Sequence, residues 1–295
     1  KGYFMNLIKP HILSSGDTIA IIAPSGAVEF DQVMLAKAYF ESKGYKIKLG
    51  ENMFNTNKYL AGSDEERVED LHNAFLDDEV NAIVCARGGY GAIRLIKMLD
   101  FEVIRHHPKI FCGYSDITAL SAMFLKHADL ITYAAPMAQS DFNTQTPDKI
   151  TEQSFFNVLK GGKEEYLGCP ITDGEASGIL FGGNLSTIVS LCGIDFLPDE
   201  DFIFFVEDVC EPVYKLDKMF NQLINMKEFR KHVKGIAFGE FLEVDDNKWL
   251  KELLNETANI LEVPSACGFK FTHAESKQTV PYGAKATLKW DGELV

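Results

Sequence analysis

Short apolar runs alternate with amphipathic stretches along the first half of the chain. Residues 18–23 form a continuous, β-branched run between Asp17 and Pro24, as expected of a strand that is buried on both faces. Further strands are predicted at residues 45–49, 82–86 and 109–112. Helices are predicted at residues 31–43, 91–99 and 117–125, and from the capping box of residues 63–66. Strand and helix alternate four times, which predicts an α/β domain with a doubly wound parallel sheet.

The rhythm of the sequence changes after Pro147. Glycines at residues 161–162 and Cys169-Pro170 mark a loop-rich passage. We therefore expect two domains, residues 1–165 and residues 166–295. The second half has predicted strands at 177–181, 202–206, 235–238 and 287–290, and predicted helices at 184–192, 214–225 and 249–258. Its strand order is less regular, which indicates a mixed α/β domain.

Composition narrows the class of protein. A length of 295 residues suits two domains, and a net charge of -14 with scattered basic residues argues against nucleic-acid binding. The charge does not exclude an acidic substrate, because a local pocket can be positive. No segment approaches the ~20 apolar residues of a membrane span, and no secretion signal opens the chain. Residues 1–4 precede Met5 and are interpreted as an added segment.

The six cysteines form no C-x-x-C pair and no metal-ligand spacing. Several of them stand in apolar runs, which favours reduced, buried thiols and a cytoplasmic setting. We expect no metal and no cofactor.

Residues 111–118, Phe-Cys-Gly-Tyr-Ser-Asp-Ile-Thr, place a serine between a predicted strand and a predicted helix. A serine at such a sharp turn stands clear of the sheet, with the N–H groups of the helix start facing whatever it attacks. Gly113 permits the tight turn, whereas the second glycine of the common elbow pattern is replaced by Ile117. Ser115 is therefore either a nucleophile or part of an ordinary strand-to-helix turn.

A glycine-rich segment, Arg87-Gly88-Gly89-Tyr90-Gly91, follows the third predicted strand and opens a helix. It suits an anion cradle that donates N–H groups to an oxyanion, although a phosphate loop or a simple tight turn has a similar composition. It is not G-x-G-x-x-G and lacks the Lys-Ser/Thr of a P-loop, which argues against nucleotide binding. Ligands gather at the carboxyl ends of the strands in such sheets, where this segment and Ser115 both lie.

A nucleophilic serine needs a base, and the base needs a carboxylate that orients it. His273 follows a predicted strand at 269–271 and begins a loop, which can place it across a cleft between domains. Glu207 stands where the apolar strand 202–206 ends, and is either a solvated turn former or the orienting acid. Five histidines are assigned surface positions: His72 in a helix, His106 and His107 in a polar turn, and His127 and His232 on helical segments. His11 lies near the terminus.

Five segments taken together resemble the LD-carboxypeptidase family of serine peptidases. In chain order they are Arg87-Gly88-Gly89-Tyr90-Gly91, Gly113-Tyr114-Ser115-Asp116, Gly182-Gly183-Asn184-Leu185, Glu207-Asp208 and Phe271-Thr272-His273. The resemblance implies Ser115 as nucleophile, His273 as general base and Glu207 as orienting acid. It also implies a Rossmann-like N-terminal domain, a smaller β-rich C-terminal domain and a homodimer.

The activity that this family implies is cleavage of the amide between an L-centre and a C-terminal D-amino acid. The L-diaminoacyl–D-alanine bond of murein tetrapeptides, opened in peptidoglycan recycling, is such a bond. In the corresponding mechanism the N–H of Asp116 and one from Gly88 or Gly89 hold the oxyanion. Arg87 is a candidate partner of the substrate carboxylate or a structural arginine. Further candidates for contacts with substrate are Tyr90, Glu211 and Tyr214.

Two alternatives remain open from the sequence. A microcin-immunity-type peptidase would open a peptidyl- or aminoacyl-nucleotide and would need aromatic side chains to stack on the base, but residues 163–174 offer only Tyr166. A non-catalytic two-lobed binding protein would share the coarse layout. The third residue of the stem peptide and the dimer surface are not predicted.

Overall fold

The computed structural model describes residues 7–295, so residues 1–4, interpreted above as an added segment, lie outside it. The strands are β1 (Thr18–Ile22), β2 (Lys46–Leu49), β3 (Val80–Cys85), β4 (Ile110–Cys112), β5 (Thr132–Ala134), β6 (Tyr166–Leu167), β7 (Cys169–Thr172), β8 (Ala176–Asn184), β9 (Phe202–Val209), β10 (Val233–Leu242), β11 (Ser265–Cys267), β12 (Val280–Tyr282), β13 (Lys285–Leu288) and β14 (Glu293–Leu294).

The helices of the first half are α1 (Phe30–Ser42), α2 (Asp64–Leu76), α3 (Ala92–Leu95), α4 (Phe101–His106), α5 (Thr118–Ala128), α6 (Ala138–Asp141) and α7 (Lys149–Leu159). Those of the second half are α8 (Leu185–Ser190), α9 (Val213–Ile224), α10 (Lys227–His232) and α11 (Asn247–Leu261). Within residues 7–295, no helix is both long enough and apolar enough to cross a bilayer.

Sheet A has six strands in the order β12-β5-β4-β3-β1-β2. Five of them are parallel, and only the edge strand β12 runs antiparallel, against β5. This is the doubly wound sheet that the alternating pattern predicts and the Rossmann-like sheet that the family resemblance implies. The three middle strands β1, β3 and β4 are almost wholly buried, which explains their continuous apolar sequences.

Local signals located most elements of the first half to within a few residues. Ser63 caps α2 as predicted, because its hydroxyl accepts from the N–H of Glu66 while the Glu66 carboxylate accepts from the N–H of Ser63. The helix predicted at 91–99 is shorter, since α3 ends at Leu95 and continues as a 3₁₀ turn to Met98. The polar turn predicted around His106 is wrong, because that residue ends α4, a helix capped by Asp100.

Sheet B has eight strands in the order β6-β14-β13-β8-β9-β10-β11-β7. The central pairs are parallel and the outer pairs are antiparallel. The two edges of the sheet are formed by one short segment, because β6 pairs with β14 at one edge and β7 pairs with β11 at the other. Only Gly168 separates β6 from β7, and it packs against the ring of Phe269. The sheet is therefore curled until its ends meet.

The two sheets share one hydrophobic core, and the C-terminal part of the chain adds a strand to sheet A. β12 comes from the C-terminal part of the chain but completes sheet A beside β5. One hydrophobic cluster runs continuously from one face of sheet A into sheet B, and a second cluster fills the other face of sheet A. The proposed division between residues 165 and 166 falls between α7 and β6, and the chain crosses back once at residues 280–282.

Candidate active site

Three loops meet at the carboxyl edge of sheet A, after β1, β3 and β4. The side chain of Asp116 joins them, because its Oδ2 accepts from the Ser25 hydroxyl at 2.5 Å and from the Ala92 N–H at 2.8 Å. The Gly26 N–H also donates to the Gly88 carbonyl at 3.2 Å. Burial raises the pKa of the Asp116 carboxyl in spite of these hydrogen bonds. Hydrogen bonds thus join the loops that follow these three strands to one another.

Ser115 stands on the strained turn between β4 and α5. Its φ is +62°, in the left-handed region that non-glycine residues rarely adopt, and a 3₁₀ turn from Ser115 to Ile117 leads into the helix. A side chain at Gly113 would lie 2.7 Å from the Ile117 side chain, so the tight turn needs glycine there. The serine itself is half-buried. This is the sharp strand-to-helix turn that the sequence predicts.

The glycine-rich segment lies against this serine. A Cβ on Gly88 would stand 2.8 Å from the Cβ of Ser115 and 3.4 Å from the N–H nitrogen of Asp116. Within residues 7–295 the N–H groups of Gly88 and Gly89 donate no hydrogen bond to the protein. Free N–H groups beside a hydroxyl can receive a developing negative charge.

Arg87 begins the same segment. Its Nη1 donates to the Ala27 carbonyl at 3.3 Å, and the guanidinium passes close to Gly26 and Gly89. Within the described part of the chain it takes part in no ion pair with a carboxylate. A half-buried guanidinium without an acidic partner is suited to bind the carboxylate of a ligand.

Glu207 lies inside sheet B rather than at a solvated strand end. β9 continues past it to Val209, and the residue is fully buried beside Asn184 of β8 and the irregular stretch of β10 around Gly239. The interpretation as a solvated turn former is therefore wrong. Its Oε2 lies 2.6 Å from Nδ1 of His273, while Oε1 has no hydrogen-bond partner among the residues described.

His273 is carried by a loop that aromatic side chains hold against sheet B. The strand predicted at 269–271 is wrong, since only an isolated bridge from Phe271 to Gln278 is present. The Phe271 ring stacks on Phe269 at 5.2 Å and meets Phe205 edge-on at 5.6 Å. Because Nδ1 is engaged by Glu207, Nε2 is the ring nitrogen left to accept a proton.

The turn that carries Ser115 and the loop that carries His273 meet at Tyr114. The His273 ring packs edge-to-face on the Tyr114 ring at 4.9 Å, and Tyr114 immediately precedes Ser115. Glu207 and His273 are hydrogen-bonded to each other, whereas residues 7–295 include no hydrogen bond between Ser115 and His273. Such bonds are often long in ligand-free enzymes and shorten when substrate binds.

The further substrate candidates lie apart from this centre. Tyr90 is 47% exposed and packs on Tyr59 at 5.7 Å, and Tyr214 is 69% exposed at the start of α9. Glu211 pairs with Lys215 at 3.3 Å. In the described structure none of the three candidates has a hydrogen bond, ion pair or ring contact with Ser115, Glu207 or His273.

Sequence reasoning missed two buried charged groups that shape the site. Arg67 donates to the carbonyls of Pro24 at 2.8 Å and Gly91 at 3.0 Å, and so binds two of the three loops together. A signal was present, because a charged residue four positions before Leu71 falls on the apolar stripe of α2. Lys277, described below, carried no local signal.

Asp208 supports the acid from the neighbouring position. It accepts from the Asn184 side chain at 3.0 Å and from the Ser186 N–H at 2.8 Å, and burial raises its pKa. The Asn184 N–H in turn donates to the Thr118 hydroxyl at 3.3 Å. The end of β8 is thereby joined to the start of α5, which follows the nucleophile turn.

The other histidines stand elsewhere. His72 is half-buried rather than solvent-facing, because its Nε2 accepts from the Asp100 N–H at 3.0 Å, and burial lowers its pKa. His127 Nε2 lies 2.7 Å from the Asp195 carbonyl oxygen, and His232 ends α10. Residues 7–295 hold no group of three or more His, Cys, Asp or Glu side chains arranged to bind a metal ion.

Both halves of the chain match known protein domains. Residues 19–135 match the LD-carboxypeptidase N-terminal domain and residues 177–288 match the LD-carboxypeptidase C-terminal domain. The probable murein peptide carboxypeptidase of Bacillus subtilis (strain 168) is 36% identical, over 98% of this chain and 93% of its own length.

Two solved structures share the whole fold. An MccF-like protein from Bacillus anthracis has a TM-score of 0.90 at 27% identity, with 97% of this chain and 98% of that chain covered. The muramoyltetrapeptide carboxypeptidase from Oxalobacter formigenes has a TM-score of 0.86 at 29% identity, with 94% and 97% covered.

Proposed function

Because the chain belongs to the LD-carboxypeptidase family, and so is a serine-type carboxypeptidase, we propose that it removes the terminal D-Ala of murein tetrapeptides. The bond is the amide between the D-Ala nitrogen and the L-centre of L-Lys or meso-diaminopimelate. The murein peptide and muramoyltetrapeptide carboxypeptidases of Bacillus subtilis and Oxalobacter formigenes, which this chain resembles, support this substrate class. Membership of a carboxypeptidase family argues against the alternative of a non-catalytic binding protein.

In the proposed mechanism the Ser115 hydroxyl attacks the scissile carbonyl carbon while Nε2 of His273 takes its proton. Glu207 holds the Nδ1–H tautomer and stabilises the imidazolium that forms. The imidazolium then protonates the departing D-Ala amine, which leaves an acyl ester on Ser115. Water, activated by the same imidazole, hydrolyses the ester and frees the enzyme. No cofactor takes part.

The oxyanion of the tetrahedral intermediate is assigned to backbone N–H groups. Gly88 lies against Ser115 and the Asp116 nitrogen, Gly89 follows it, and the N–H groups of both glycines are not engaged elsewhere in the described structure. The loss of one such donor costs about 3 kcal/mol in the transition state.

Recognition of the substrate's end is assigned to Arg87. Exopeptidase action needs a partner for the terminal carboxylate, and this guanidinium lies beside Gly89 without an acidic partner in the described chain. Tyr90, Glu211 and Tyr214 are proposed to contact the rest of the stem peptide from the rim.

The observation that carries the proposal is the pair of Glu207 and His273. A carboxylate with no exposure to solvent is joined at 2.6 Å to one nitrogen of an imidazole whose ring touches the residue before Ser115. Burial of a carboxylate is costly unless it is partnered, so this arrangement is typical of a base and its orienting acid.

The direct test is incubation with L-Ala-D-Glu-meso-diaminopimelate-D-Ala and with its L-Lys counterpart, with mass detection of released D-Ala. We expect release by the wild type and by Ser190→Ala, which changes an exposed serine on α8, but not by Ser115→Ala. EDTA should leave the rate unchanged. If both peptides stay intact, the murein assignment is wrong, and labelling of Ser115 by a serine-directed phosphonate would then show whether a serine hydrolase remains.

A second candidate is a microcin-immunity-type peptidase that acts on peptidyl- or aminoacyl-nucleotides. It is favoured by the likeness to the MccF-like protein of Bacillus anthracis, MccF being named a microcin C7 self-immunity protein. The aromatic residue considered for base stacking, Tyr166, is buried in β6 and bonded to the Thr279 carbonyl at 2.7 Å, so it is not available. Hydrolysis of an aspartyl sulfamoyl adenosine analogue would favour this candidate over the murein peptide.

We further propose that the enzyme works in the cytoplasm, in peptidoglycan recycling, as a homodimer. The sequence arguments from unpaired cysteines and from family resemblance support these assignments. Light scattering of the purified protein tests the oligomeric state, since a mass equal to one chain would contradict the dimer.

A further inference from the structure

A buried ion pair lies against Tyr114, the residue on which His273 packs. Lys277 Nζ donates to Asp141 Oδ1 at 2.5 Å, and the two side chains are only 9% and 8% exposed. Two charges taken out of water lose hydration that their attraction only roughly offsets. The pair therefore contributes little net stability, and its contact with Tyr114, which His273 also touches, points to a different role.

Both the ion pair and the base contact one aromatic ring. Lys277 Nζ lies 4.8 Å from the centre of the Tyr114 ring and 3.3 Å from its hydroxyl. His273 packs on the same ring at 4.9 Å. Burial, followed by the nearby Asp141 and Glu207 carboxylates, raises the pKa of the Tyr114 phenol well above its ordinary value, so the ring stays neutral. Tyr114 therefore contacts both the lysine and the imidazole and belongs to the turn that carries Ser115.

The base loop is anchored differently on its two sides. The residues before His273 pack on sheet B through Phe271. The residues after it bind the N-terminal half, because the Lys277 N–H donates to the Thr151 hydroxyl at 3.0 Å and the Thr279 N–H donates to the Ser154 hydroxyl at 2.9 Å. Residues 276–279, with Lys277 among them, thus bind the loop to the half that carries Ser115.

We propose that Lys277 is a positioning residue for the reaction. Its pairing with Asp141 holds the base loop against Tyr114 and so sets the distance from His273 Nε2 to the Ser115 hydroxyl. This inference rests on the proposed roles of Ser115 and His273. A misplacement of the base by about 1 Å can lower the rate on the order of 10²-fold.

The charges around the imidazole give the proposal a second signature. The groups that face His273 are Glu207 and Tyr114, with Lys277 and Asp141 behind Tyr114. In the wild type the positive charge of Lys277 offsets the negative charge of Asp141. If the ammonium alone is removed, the Asp141 carboxylate is left unbalanced and stabilises the imidazolium, so the acid limb of kcat/KM moves to higher pH.

The test compares Lys277→Met with Lys270→Met. Lys270 is an exposed lysine on the same loop, and its side chain pairs with Glu240 of β10. For Lys277→Met we expect kcat to fall about 10- to 100-fold, with little change in KM and an acid limb at higher pH. Lys277→Arg should recover much of kcat, and Lys270→Met should behave as wild type. The double variant Lys277→Met/Asp141→Leu should regain thermal stability and the wild-type acid limb but not kcat.

Two outcomes would overturn the inference. One is a folded Lys277→Met variant with wild-type kcat. The other is a double variant in which kcat returns together with stability, because the role would then be structural only. Absence of turnover in the wild type would instead count against the proposed function, so the two failures are distinguishable.

A second, independent observation concerns Cys169 and Cys267. They stand directly opposite each other on β7 and β11, and neither is fully buried. Opposite residues of an antiparallel pair have Cα atoms about 4.5–5.5 Å apart, within the range of roughly 4.4–6.8 Å that a disulfide spans. β7 belongs to the short segment that closes sheet B, so a bond here would fasten the closure.

We infer that this pair is a site of reversible disulfide formation by a low-molecular-weight disulfide. Cys169, the exposed thiol, attacks oxidised glutathione and releases one glutathione thiol. Cys267, whose pKa is raised by burial and then by Cys169, next attacks the sulfur of Cys169 and releases the second. Two protein thiols are oxidised and one glutathione disulfide is reduced to two thiols.

The experiment treats the full chain with oxidised glutathione and determines intact mass, peptide map and Tm. We expect loss of two hydrogen atoms, a Cys169–Cys267 cross-linked peptide and a raised Tm, all reversed by dithiothreitol and absent in Cys267→Ser. Cys210→Ser, which removes another exposed thiol, should behave as wild type. A stable glutathione adduct on Cys169 of the wild type, with no cross-link, would overturn the inference.

Discussion

The nucleophile turn, residues 111–118, and the base loop, residues 268–279, are built by opposite means. The turn takes its shape from its own neighbours, since β4, Gly113, the strained Ser115 and α5 follow one another without interruption. The loop has no helix or strand of its own. It is held by contacts to Glu207, Thr151 and Tyr114. These residues are separated in sequence by 66, 126 and 163 positions from the loop residues that they contact.

The difference shows how a site between two sheets can be precise although half of it is a loop. The turn is fixed by local backbone geometry, and the loop is fixed by buried hydrogen bonds and aromatic packing to both halves of the molecule. We therefore expect mutations in the turn to act through the reacting atoms. Mutations in the loop should act through stability and position as well.

The largest effect should come from removing one reacting group in each region. Ser115→Ala and His273→Ala should each lower kcat by about 10⁶-fold, and the double variant should be no worse, because the two residues act as one unit. Initial rates of D-Ala release measure this. Additive losses in the double variant would show that the turn and the loop act independently.

The next largest effect is expected at the residue that joins the loop to sheet B. Glu207→Gln keeps the size of the side chain but places an amide against Nδ1, which favours the wrong tautomer and should lower kcat about 10⁴-fold. Glu240→Gln on β10 is the matched control and should keep wild-type rates. If Glu207→Gln retained more than a tenth of kcat, the orienting role would be contradicted.

Glycine substitutions separate the two regions most clearly. In Gly88→Ala the new methyl group would press on Ser115, which should lower kcat on the order of 10²-fold while Tm changes little. In Gly268→Ala the methyl group meets no neighbour, but φ is +85°, so the expected change is a loss of about 1 kcal/mol in unfolding free energy. Thermal unfolding and kinetics of both variants test this, and the reverse pattern would refute the comparison.

The smallest effect concerns the carboxyl that joins the loops beneath the serine. Burial raises the native pKa of Asp116 above its unfolded value of about 3.9, so the native state binds the proton more tightly. Stability from this group is therefore present at low pH and is lost as pH rises through the native pKa.

Asp116→Asn should consequently gain Tm relative to wild type as pH rises through that window, with a constant difference above it. Asp291→Asn, on an exposed turn, serves as control and should show no such trend. A difference that shrank with rising pH would mean that the sign is wrong.

Sheet A could be predicted because its strands and helices repeat a local pattern. β1, β3 and β4 are continuous apolar runs, and the capping box of Ser63 and Glu66 marks the start of α2. Short strands such as β5 and the edge strand β12 escaped prediction, because three residues carry too little periodicity and the two strands that pair with each other lie far apart in sequence.

The candidate site was predictable only where local geometry defines it. The turn at Ser115 could be recognised from the residues around it, whereas Glu207 looked like a solvated strand end. The position of Lys277 beside Tyr114 follows from folding of the whole chain, and no short window of sequence contains it. Motif resemblance singled out His273 and Glu207 because it compares residues that are distant in sequence.

The return of β12 to sheet A has a consequence for protein synthesis. A ribosome synthesises residues 280–282 long after the other strands of sheet A, so the first sheet lacks its edge strand while residues 135–279 are being added. A fragment ending at residue 165 would expose the unpaired side of β5, a surface prone to association with other chains. The two halves of this enzyme are therefore expected to be obtained in soluble form only as one continuous polypeptide.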